Sequence, residues 1–154
     1  MDGNVVSVTR VIPAPPADIF ALVADPSRHP DIDGSGSVRQ AQGTPPSRLA
    51  LGDTFGMGMH LGIGYSMVNT VIEFEPDRRI AWQARPKGAA GRIIGGRIWR
   101  YELEPVEGGT EVTESWDISQ DHQRFVLRLG PVPRQAEESM TKTLARIEEL
   151  TAGP

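Results

Sequence analysis

Cysteine is absent from the 154 residues, which removes disulfide frameworks, thiolate metal sites and cysteine nucleophiles from consideration. No apolar run approaches the length of a membrane-spanning helix. The N-terminus shows neither a basic n-region nor an apolar h-region, so a soluble, cytoplasmic protein without membrane insertion is expected. Cations are the minority, with 16 Lys and Arg against 20 Asp and Glu for a net charge of −4. They are dispersed apart from Arg78-Arg79 and the Arg92–Arg100 region. That balance argues against a phosphate backbone as the main partner, and no nucleic-acid role is expected.

Several catalytic signatures are missing as well. There is no Gly-x-Ser-x-Gly nucleophile elbow. Glycine-rich Pro86–Gly96 does not match a phosphate-binding loop, nor does it sit between a parallel strand and a helix. His29, His60 and His122 fall in different predicted elements without metal-ligand spacing, and each reads as a surface or loop residue. No metal and no cofactor are expected.

What is present suits one globular domain over residues 1–154. A chain of this length should bury roughly 70% of its unfolded surface. Hydrophobic residues make up 38%; counting the 17 glycines and leaving out the two tyrosines brings this to about 48%, an ordinary apolar fraction.

Val5–Val11 alternates β-branched and polar residues as a strand does. Pro13, Pro15 and Pro16 stop the ladder, since proline has no N–H to donate. Pro16 or Ala17 opens a short helix whose apolar face is Ile19, Phe20 and Val23, and Asp25-Pro26 ends it. Asp33–Ser37 and Gly43–Ser47 read as loops around a short edge strand at Val38–Gln42. Asp53–Leu61 and Tyr65–Glu75 flank Gly62-Ile63-Gly64 as a hairpin. Arg79–Arg85, Arg97–Glu104 and Thr110–Ser119 follow as strands, the last two joined across Pro105–Gly109.

Pro86–Gly96 reads as a long connection, suited to a mobile flap at a cavity mouth. Gln120–Gly130 suits a helical turn packed by Phe125, Leu127 and Leu129. Pro133–Leu150 is the strongest helix, with Ala136, Met140, Leu144, Ile147 and Leu150 in one stripe. An antiparallel sheet with one apolar face needs cover, and this helix can supply it, so the expected class is α+β.

Val5–Ser35, with its proline corner and short helix, resembles the opening of the polyketide cyclase/dehydrase family of the START-like (SRPBCC) superfamily. Asn69–Trp82 and Tyr101–Asp117 are similar to the family's internal strand-turn-strand units, and Met140–Leu150 to its closing helix. The resemblance covers nearly the whole chain and implies a helix-grip fold. Six to seven curved antiparallel strands would wrap around the long C-terminal helix, with two short helices after the first strand. The superfamily includes carriers, cyclases and hydrolases, so the likeness implies a container and leaves the reaction open.

Strand parity places Trp99, Tyr101 and Leu103 on one face, and Val112, Glu114, Trp116 and Ile118 on another. Ile80, Trp82 and Ala84 align likewise. The tryptophans are either plain core or the walls of a flat apolar cavity. Met57 and Met59, on a glycine-interrupted strand, either fill a curved core or adapt to a ligand. Met140 and Leu144 would face them from the helix. Glu114 is the candidate catalytic residue: buried, its pKa rises unless it is paired, with Arg97 and Tyr101 as available partners. On Tyr65–Glu75 the inward parity switches along the strand, which requires either cover on both sides or a bulge.

Three functions fit. The first is binding of a small hydrophobic or amphipathic molecule by Met57, Met59, Trp82, Trp99, Tyr101, Glu114, Trp116, Met140 and Leu144. The second is a cyclase- or dehydrase-type enzyme using Glu114, Tyr101 or Arg97. The third is a non-catalytic interaction module with a filled core, for which a homodimer partner is compatible.

Overall fold

The computed structural model describes residues 3–34, 38–42, 48–61 and 63–152; for residues 38–42, 57–61, 63–66 and 90 it describes the backbone alone. Seven antiparallel strands form one sheet in the order β1-β7-β6-β5-β4-β3-β2. They are β1 (Val5–Ile12), β2 (Val38–Gln42), β3 (Thr54–Leu61), β4 (Ile63–Glu75), β5 (Arg79–Pro86), β6 (Arg97–Val106) and β7 (Gly109–Asp117). From β2 to β7 the chain is a meander of neighbours. β1 and β2 are therefore opposite edges of the sheet, and the segment joining them has to cross it.

That crossing carries α1 (Pro16–Val23), a 3-10 turn at Pro26–Arg28 and α2 (His29–Ile32). Pro16 opens α1, where a missing N–H costs nothing, and Asp18 sits in its first turn. Ile19, Phe20, Leu22 and Val23 are buried. Asp25 caps the 3-10 turn through its side chain, 3.0 Å from the Ser27 amide.

α3 (Arg124–Leu127) is a single turn before α4 (Val132–Thr151), which packs on β1 and β7 and touches α1 and α2. Ala136, Met140, Leu144 and Ile147 are buried as the stripe requires, whereas Leu150 at the helix end is 45% exposed. Leu144 and Ile147 join the larger core with Phe20, Ile80 and Tyr101. Ala136 and Met140 join a smaller one with Val6, Trp116 and Ile118. Trp99 and Val8 pack against both. Polar contacts fasten the crossing segment to α4: Arg146 Nε donates to the Asp31 carbonyl at 2.9 Å, and the Gly34 amide to Thr143 Oγ1 at 2.9 Å. Gly34 lies so close that an added Cβ would run into the Ser139 carbonyl.

Three expectations change. β6 runs through Pro105 to Val106, opposite Thr110 and Gly109, so the turn is shorter than Pro105–Gly109 and centres on Glu107-Gly108. Phe125 and Leu129 do not pack: each is 70% exposed, and of the three residues only Leu127 reaches the smaller core. Pro86–Gly96 is not an irregular connection throughout, since it holds a 3-10 turn at Ala89–Arg92. Arg85 donates to the Gly91 carbonyl at 3.1 Å, and the Gly96 amide to that of Ala84 at 2.9 Å. The parity switch in β4 is a bulge: Val71 opposes Trp82 and Glu73 opposes Ala81, leaving Ile72 as the extra residue. The loop at 43–47, the end of that at 33–37 and Gly62 in the β3–β4 connection lie outside the described residues.

Leu144→Ala is expected to lower the unfolding free energy by about 3 kcal/mol through the cavity it leaves. Leu150→Ala at the exposed end should change it by less than about 0.5 kcal/mol. Urea denaturation followed by far-ultraviolet circular dichroism measures both.

Candidate functional site

Register assembles the site. Trp82 opposes Trp99 and Trp99 opposes Trp116, so the three tryptophans form one row across β5, β6 and β7. In the next row Ile80 opposes Tyr101, Tyr101 opposes Glu114, and Glu114 opposes Val8. Tyr101 and Glu114 are 4% exposed, Trp116 2% and Trp82 8%. Trp99 is half-buried.

The crossing segment adds a ring that local pattern did not indicate. His29, read above as a surface or loop residue, is buried and stacks on Trp82 at 4.9 Å between centroids, 22° from parallel. Phe55 meets both rings edge-on, at 5.3 Å from His29 and 5.4 Å from Trp82. Tyr101 lies 5.8 Å from Trp82 on its other side. Buried Asn69 borders the group and reaches the Phe55 carbonyl at 3.5 Å.

Burial decides the charge states. Glu114 is pushed up to about 8, chiefly by desolvation; the Tyr101 hydroxyl, donating to the carboxylate, opposes this, while the charge of Asp33 adds to it. Glu114 Oε1 has no hydrogen-bond partner among the described residues. Tyr101 is raised well above the usual phenol range by its own burial and then by Glu114. His29 is lowered by desolvation, against the pull of the Val23 carbonyl and the charges of Asp25 and Asp33. Its Nε2 lies 2.7 Å from the Val23 carbonyl, which can only accept, so Nε2 carries the proton of the neutral ring. At pH 7 the acid, the phenol and the imidazole are thus mainly uncharged. Such a set suits an uncharged hydroxyl or carbonyl better than an ion, and a protonated Glu114 can donate a proton or a hydrogen bond.

The family model described as polyketide cyclase/dehydrase and lipid transport matches residues 4–151. The chain belongs to this family. An uncharacterized protein of Mycobacterium tuberculosis, Rv0088, is 36% identical over 114 residues, or 73% of this chain and 46% of the relative. The chain thus spans about half the length of the curated relatives it matches. Protein CV1439 from Chromobacterium violaceum has a TM-score of 0.72 at 16% identity, covering 98% of this chain and 99% of that one. Protein Ms6760 from Mycobacterium smegmatis also has a TM-score of 0.72 at 16% identity, covering 97% and 91%. At such identity the likeness shows the fold.

Within this family fold, Trp82, Tyr101 and Glu114 lie together, whereas Trp116 belongs to the smaller core with Met140. Met140 and Leu144 close the other side from α4, each in a different core cluster. The side chains of Met57 and Met59 lie outside the described residues. Arg97 does not pair with Glu114; its Nε is 3.3 Å from Asp121 Oδ2, a carboxylate without exposure. Sequence reasoning missed His29, Phe55 and Asn69. Asn69 shares the inward parity of Val71, which could have marked it, but nothing local marks His29. Among the described residues no group of three or more His, Cys, Asp or Glu is arranged to hold a metal ion, and no helix is long and apolar enough to cross a membrane.

The folded chain keeps its Glu114 proton up to about pH 8, whereas the unfolded chain releases it near 4.5. The contribution of this group to stability is fully present below pH 4.5 and is lost as the pH rises through 8. Between those values the slope is about 1.4 kcal/mol per pH unit. Glu114→Gln, neutral and of the same shape, is expected to flatten that decline in urea midpoints collected across the same range.

Proposed function

We propose that the chain binds a small hydrophobic or amphipathic molecule between the inner face of the sheet and α4, its uncharged polar end turned toward Glu114 and Tyr101. The carrying observation is Glu114 Oε1, buried and without a hydrogen-bond partner among the described residues. A buried polar atom left unpaired costs about 1–3 kcal/mol, which a ligand hydroxyl or carbonyl would offset. Trp82, Trp99 and Trp116 would supply flat apolar wall, with Met140 and Leu144 opposite. Lipid transport in the description of the family supports the same class of ligand.

A second reading has its own support. A carboxyl titrating at about 8 beside a phenol is a competent proton donor at neutral pH. In a dehydrase-type reaction, or the water-losing step of a cyclisation, Glu114 would give its proton to the leaving hydroxyl as the C–O bond breaks. It would take the α-proton of the substrate in return, so that water departs and a C=C bond forms, while Tyr101 would hydrogen-bond the adjacent carbonyl as it gains enolate charge.

Tryptophan fluorescence titrated with N-phenyl-1-naphthylamine, an uncharged aromatic probe, tests the binding reading. A saturable response is expected, and Glu114→Gln should change its Kd by threefold or more while the fold persists. No response at saturating probe refutes binding and leaves a filled core with function on the surface. Unchanged Kd in the variant removes Glu114 from the site. Loss of turnover on an aromatic-forming polyketone in Glu114→Gln, with probe binding retained, would favour the enzymatic reading.

A further inference from the structure

Five of the nine exposed large hydrophobic residues among those described fall in two short segments: Ile93 and Ile94 after the 3-10 turn, and Phe125, Val126 and Leu129 around α3. Gln123 joins the segments into one surface. Its Oε1 accepts from the Gly95 amide at 3.0 Å, and its Nε2 donates to the Ile93 carbonyl at 3.2 Å. The His122 amide also donates to the Gly95 carbonyl at 3.0 Å. Leu127 turns inward to the core, leaving its neighbours on the turn to stand outward.

The charge around these side chains is of one sign. Residues 86–96 and 122–135 contain Lys87, Arg92, Arg124, Arg128 and Arg134 and no carboxylate. Asp121, just before them, is fully buried against Arg97, and Arg134 is paired with Glu138. Lys87, Arg92, Arg124 and Arg128 have no acidic partner among the described residues, in a chain whose net charge is −4. The Arg124 guanidinium lies over the exposed Phe125 ring, Cζ 4.7 Å from the centroid. That stacking holds a cation beside an apolar ring, a pairing suited to a lipid interface, where charge and apolar surface meet.

We propose that this surface docks the protein on a bilayer rich in anionic headgroups, with Phe125, Val126, Leu129, Ile93 and Ile94 entering the interface and the arginines meeting the phosphates. The tips project from two loops and a single helical turn. A lipid interface accepts such a shape without a complementary groove, and each cation near an anionic surface strengthens binding roughly fivefold. The net negative remainder of the molecule would be repelled, which orients it. This inference does not depend on the ligand reading, because docking is measured without the probe.

Flotation with vesicles of phosphatidylcholine containing 30 mol% phosphatidylglycerol, against phosphatidylcholine alone, tests it at low salt. The protein is expected to partition at least tenfold more strongly to the anionic vesicles. Phe125→Ser with Leu129→Ser, and separately Arg124→Gln with Arg128→Gln, should each cut that partitioning tenfold or more with Tm unchanged. Equal binding to both vesicle types, no flotation of the parent protein, or either double variant floating like the parent overturns the proposal. So does a dimer in analytical ultracentrifugation that Phe125→Ser with Leu129→Ser dissolves, since the patch would then be covered by a second copy.

Discussion

An antiparallel sheet with one apolar face has to be covered, and in this fold the cover is α4 together with the segment that crosses from β1 to β2. Because β1 and β2 are opposite edges, the crossing is forced to run over the inner face rather than around it. Every component of the site follows from this. The sheet brings the tryptophan row and the Tyr101–Glu114 pair, α4 brings Met140 and Leu144, and the crossing brings His29. The bonds from Arg146 and Thr143 then hold the crossing against the helix.

The electrostatic character of the interior comes from the same enclosure. Apart from Asp33, whose charge is felt there, the groups at the centre avoid ionisation: Glu114 is raised, His29 is lowered and Tyr101 stays a phenol. Among the described residues no cation pairs with the Glu114 carboxyl: Arg97 is committed to Asp121 and Arg100 to Glu73. On the outer side the pattern reverses. Arg100 lies 2.6 Å from Glu73 and 3.4 Å from Asp117, while Arg79 bridges Glu73 and Glu102. With the exception of buried Asp121 beside Arg97, full charges thus meet each other where water can reach, and Glu114, Tyr101 and His29 remain neutral inside.

Much of this is legible from residue order, and what is not has a physical cause. Faces are legible: period 2 places Trp82, Tyr101, Glu114 and Trp116 inward, and period 3.6 finds the α4 stripe. Register is not, because the pairing of Tyr101 with Glu114 depends on where the β6–β7 turn falls. Pro105 suggested an earlier turn than the one at Glu107-Gly108. His29 was misread because its burial comes from the path of the crossing segment, a tertiary fact. Phe125 and Leu129 were misread for a different reason: one helical turn is too short for an apolar stripe to say which side faces the core.

The extra residue in β4 carries a consequence for how the family diverges. Before Ile72 the inward residues are Asn69 and Val71; after it the inward residue is Phe74. The two halves of one strand therefore obey opposite polarity rules. A relative that has lost the bulge cannot keep both halves by point substitution, because restoring strict alternation turns one half inside out. Aligned with such a relative, this strand should show a one-residue gap at Ile72. Insertions and deletions in β4 would then be inherited as a unit with the residues that line the interior beyond them.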